Sequence, residues 1–83
     1  MLKSTDDFKK AVYNTLVKIR DDEDWIAIQQ AMTSDEYAAI PKHIVESGYV
    51  DGLQHMPKLG GGGYVGTPAL TARGLQFIEE HSN

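Results

Sequence analysis

The chain has 83 residues, 41% hydrophobic and 24% charged, the ordinary composition of one small globular domain. It contains no cysteine, which excludes disulfides, zinc–thiolate sites and thiol nucleophiles. Its net charge is −4 with a pI near 5.1, which argues mildly against general nucleic-acid affinity.

The charge is unevenly spread. Residues 1–20 hold five cations against two acids, a net of +3, and residues 21–83 hold three cations against ten acids, a net of −7. Most of the positive charge therefore rides on the first predicted helix. The opening stretch MLKSTDDFKK lacks the apolar core of a signal peptide. No run of about 18 apolar residues offers a membrane span. The expectation is a cytoplasmic protein with no membrane partner. A chain of this size buries roughly 60–65% of its unfolded surface, so its core is thin and must be held by packing alone.

Ser4 or Thr5 is suited to cap a first helix over about 5–20, with Asp6 and Asp7 in its first turn. Phe8, Val12, Leu16 and Ile19 recur at helical spacing, and Ala11 and Thr15 widen the stripe. The acids of RDDEDW lack the alternating ligands and glycine of a calcium loop, and read as a solvated turn with Asp24 capping the next helix. Trp25, Ile26, Ile28, Ala31 and Met32 suggest a short second helix over 25–31, with Trp25 partly in the core, or else a strand.

TSDE, Thr33 to Glu36, is a capping box. It predicts a third helix over about 34–47, with Tyr37, Ile40 and Ile44 inward and Gly48 ending it. Pro41 interrupts that pattern. It lacks the amide proton owed to the Tyr37 carbonyl, at a cost of ~3 kcal/mol in a helix interior. The helix should kink there or divide into two pieces. Tyr49 and Val50 read as a strand, resuming at Leu53 to His55. YVGTPAL returns as its partner, with Pro68 suited to an edge. Thr71 caps a last helix over 72–81, with Leu70 and Leu75 in staple positions and Leu75, Phe77 and Ile78 on its apolar face. Gly74 costs that helix about 1 kcal/mol relative to alanine unless something packs closely against it.

The run KLGGGGYVGTP invites a phosphate-loop reading. Gly61, Gly63 and Gly66 match G-x-G-x-x-G, but a glycine-rich run does so by chance, and no strand–helix unit surrounds them. Gly61 and Gly66 have P-loop spacing, but Thr67 stands where the lysine must be. The better reading is the tip of a hairpin, about 57–66, where glycine reaches positive φ without strain.

Helices followed by a β-hairpin and a closing helix make an α+β, winged helix-turn-helix pattern: a three-helix core, a wing and a C-terminal helix in one domain. The stretches MTSDEYAAIPKHIVESGYVDG (Met32–Gly52) and GTPALTARGLQFIEE (Gly66–Glu80) carry a further signal. They resemble the YjcQ family of small bacterial and phage-associated winged-helix proteins, chiefly in SGYVDG and ALTARG. The resemblance implies that fold and brings no catalytic residues with it.

His43, His55 and His81 lack metal-site spacing, and no serine elbow or acid–base pair is present. The expectation is a protein that is not an enzyme and takes no cofactor or metal. Two binding readings remain. A DNA reader, weak on its own and serving as a transcription accessory, would use Thr33, Ser34, Lys42 and His43 on the third helix and Lys58 on the wing. A protein-interaction module, or a homodimer, would present Tyr49, Met56, Leu59 or Tyr64 as an apolar patch near the wing.

Overall fold

Capping chemistry sets where each helix begins. The computed structural model describes residues 2–56 and 63–82. Ser4 Oγ accepts the Asp7 N–H and opens α1, Thr5–Arg20. Asp24 accepts the Ala27 N–H and opens α2, Trp25–Gln30, so this segment is a helix and not a strand. Thr33 and Glu36 exchange bonds in a full capping box that opens α3, Ser34–Glu46. Thr71 accepts the Gly74 N–H and opens α4, Ala72–His81.

Between α3 and α4 lie β1, Val50–Met56, and β2, Gly63–Leu70, paired antiparallel. The result is an α+β domain of four helices and one hairpin among the described residues. Of the tip expected over about 57–66, residues 57–62 lie outside the described residues, and Gly63 to Gly66 belong to β2, whose ladder pairs them with Leu53 to Met56.

Two helices end in the same way. At α3, Gly48 adopts φ 75°, and the Gly48 and Tyr49 amides bond back to the Val45 and Ile44 carbonyls. At α1, Asp22 takes the left-handed position at φ 60°, and the Asp22 and Glu23 amides bond to the Ile19 and Lys18 carbonyls. Both are Schellman closures. Asp22 fills one without glycine, as acidic and amide side chains tolerate this conformation better than most.

The core forms where the α1 stripe meets α3. Val12, Leu16, Ile40 and Ile44 are fully buried, and Ile19, Trp25, Ile28, Val50 and Ile78 surround them. Trp25 is wholly in the core rather than partly so, and its indole N–H donates to the Tyr64 carbonyl at 3.0 Å. Burying a side chain such as Leu16 contributes roughly 1.5–3 kcal/mol, so this cluster supplies most of the drive to fold.

Several details refine or differ from the sequence pattern. α3 runs as one helix through Pro41, which removes the two-piece alternative. Its inward stripe is Ile40, Pro41 and Ile44, whereas Tyr37 is 38% exposed. Leu75 is 44% exposed, and Ile78 and the half-buried Phe77 carry the inner face of α4. β1 is also continuous through Gly52. It stays paired because β2 absorbs the irregularity: Gly52 faces the two-residue step Thr67–Pro68, a β-bulge.

The C-terminal half is locked by one knot. Thr71 donates its hydroxyl to the Gly48 carbonyl and its N–H to the Tyr49 carbonyl. Arg73 donates to the Ser47 carbonyl at 3.2 Å. A Cβ on Gly74 would collide with the Tyr49 carbonyl. SGYVDG and ALTARG, distant in sequence, therefore bind the end of α3 to the start of α4.

Candidate interaction surfaces

The N-terminus of α3 is already occupied by its own chain. The Thr33 hydroxyl accepts the Glu36 N–H and donates to Asp35 Oδ1 at 2.7 Å, and the Thr33 N–H donates to Glu36 Oε1 at 2.9 Å. Asp35 Oδ2 accepts the Leu2 N–H at 2.8 Å, which ties the chain start to this helix. The Leu2 amide, followed by the Thr33 hydroxyl, lowers the Asp35 pKa from 3.8 to about 2. An ionised carboxylate thus stands at the point where Thr33 and Ser34 would approach a phosphate.

The other candidates on α3 diverge. Ser34 and Lys42 are exposed. His43 is half-buried, with its ring edge-on to Phe8 at 4.9 Å and 6.0 Å from Tyr49. Tyr49 continues to Phe77 at 5.1 Å, and Phe77 stacks on His81 at 4.0 Å. This ring ladder ties α1, α3 and α4 together and uses His43 as packing material. Lys58 and Leu59 lie outside the described residues. Of the expected apolar patch, Met56 is exposed, while Tyr49 and Tyr64 are half-buried.

A different surface stands out. A groove of about 400 Å³ runs between β2 and the start of α2. Ile19 and Trp25 are its buried lining residues, and Ile26 and Val65 are exposed beside it. Ile26 is 62% exposed, the most exposed large apolar side chain described. Asp22, Glu23 and Asp24 line the same groove, and among the described residues no cationic one does. Among the described residues the single ion pair is Arg20 with Asp21, so these three carboxylates have no cationic partner there.

The sequence held a signal for this surface. Trp25 and Ile28 share one face of α2, and Ile26 lies about 100° away from Trp25, beside the polar Gln29 and Gln30. Nothing in the pattern says that Val65, almost 40 residues later, comes to stand near it.

Among the described residues no group of three or more His, Cys, Asp or Glu side chains is arranged to hold a metal ion, and no helix is long and apolar enough to cross a membrane. Comparison of the chain with protein-family models, curated proteins and solved structures finds no match.

Proposed function

We propose that this chain is a protein-interaction module on a winged-helix scaffold, related to the YjcQ family. The helix–helix–helix–hairpin–helix order supports the scaffold. The SGYVDG and ALTARG stretches support the relationship, since they make the knot between α3 and α4.

One observation carries the interaction reading: the groove between α2 and β2, with Ile26 and Val65 exposed beside it. Exposed apolar side chains around a concavity mark contact surfaces more often than isolated ones do. The same topology suits a DNA reader, and Ser34 and Lys42 are exposed on α3. The charge on that helix disfavours it, because Asp35, Glu36 and Glu46 stand against Lys42 alone with His43 turned into the ring ladder.

Fluorescence anisotropy of a labelled mixed-sequence duplex tests the choice. The protein should leave the duplex free at physiological salt. A grip through Lys42, His43 and Lys58 would instead show a log–log salt slope of about −2 to −3. Binding with that slope, lost in Lys42→Glu, would replace the protein-interaction reading with the DNA one.

A further inference from the structure

The groove is asymmetric in charge and shape. Its acidic side is the turn from α1 into α2, where Asp22, Glu23 and Asp24 are all exposed. Its other side is β2, which pairs with β1 along one edge and with no strand along the other among the described residues. The Tyr64 carbonyl points to that outer edge, since it accepts the Trp25 indole N–H. In an antiparallel ladder the N–H and C=O of one residue point the same way, so the Tyr64 N–H faces the groove as well.

An α-helix with its side chains is 10–12 Å across and offers no backbone group to a strand edge. An extended chain does, and it places neighbouring side chains on opposite sides. Among the described residues, a duplex or an acidic peptide would meet three carboxylates and no cation. A basic segment would meet its complement, which also speeds encounter.

Resting on the protein-interaction reading, we propose that the groove binds an extended segment of a partner protein, laid along the outer edge of β2. In that segment an aliphatic residue has lysine or arginine as its neighbour. The aliphatic side chain seats by Ile26 and Val65, above Trp25. The neighbouring cations reach Asp22, Glu23 and Asp24.

Trp25 is the chain's single tryptophan and lines the groove, so its fluorescence and its indole N–H resonance report on occupancy. The probe is a blocked peptide that alternates lysine with valine, and the control replaces each lysine with glutamate. The lysine peptide should shift the Trp25 indole and the Val65 amide saturably, more tightly at low salt, and the glutamate peptide should not. Ile26→Glu should weaken the lysine peptide about tenfold, as loss of a central apolar contact does. Glu23→Lys should weaken it about two- to fivefold, the effect of an exposed charge pair. Both sites are exposed, so both variants should melt as the parent does.

Equal binding of the two peptides overturns the cationic partner while leaving a protein-interaction module. So does lysine-peptide binding that both variants leave unchanged, because the groove is then not the site. Absence of any saturable shift with the lysine peptide overturns the proposal outright. Salt-dependent duplex binding lost in Lys42→Glu removes the underlying reading itself.

Discussion

Gly74 shows how one atom can outweigh helix propensity. Alanine at a helix interior is worth about 1 kcal/mol over glycine. Here a Cβ would collide with the Tyr49 carbonyl and come within 3.1 Å of the Leu70 side chain. Backbone cannot retreat as a side-chain tip can, and overpacking costs about 1–3 kcal/mol. Gly74→Ala should therefore lower the urea midpoint, and a raised midpoint would show that the contact yields freely. Thr71→Ala should cost about 1–2 kcal/mol, because it removes a helix cap together with the bond to Gly48. Asp35 sets a pH dependence. Its folded pKa is depressed from 3.8 to about 2, so its contribution is complete above pH 3.8 and lost as pH falls toward 2. Melting temperatures of the parent and Asp35→Asn should differ near neutral pH and converge near pH 2. A gap that persists at pH 2 would mean that the carboxylate's charge is not what matters.

Helix starts were legible in the sequence because caps are local chemistry: Ser4, Asp24, Thr33 and Thr71 all begin helices. The α1 stripe and the Gly48 closure were legible for the same reason. Pro41 was legible as a defect, and of the two outcomes expected of it the division into two pieces does not occur. Its missing N–H costs α3 up to ~3 kcal/mol, yet Pro41 itself is buried beside Ile40 and Ile44, and burial of that order offsets the loss. That phase turns Tyr37 outward, where its hydroxyl would lie 2.7 Å from a Cβ on Gly63. The hairpin was less legible, because a bulge belongs to two strands at once. Gly52, at φ 89°, and Gly66, at φ 131°, flank the bulge on opposite strands, and a Cβ on either would strike the carbonyl of Thr67 or Gly52 respectively. Gly52→Ala should cost more than about 1 kcal/mol, since alanine at positive φ is strained as well as crowded. Denaturant unfolding reads the loss, and an unchanged midpoint would place the bulge elsewhere.

At the scale of the molecule, the groove is the part that sequence reading could least supply. Ile26 and Val65 line one groove, beside the Trp25–Tyr64 bond and the packing of Trp25 into the core. The acids at 21–24 read as a solvated turn, and the place of Asp22, Glu23 and Asp24 across the groove from β2 gives those three a second meaning. The charge division acts at this scale too. The chain carries −7 over residues 21–83, which favours basic protein segments over nucleic acid as partners. An amide-shift map of the whole protein tests this most directly, with mixed-sequence duplex added first and the lysine–valine peptide second. The duplex should leave Ser34 and Lys42 unmoved, and the peptide should shift Trp25, Ile26 and Val65. Saturable duplex shifts along α3, with the groove silent to peptide, would contradict both expectations.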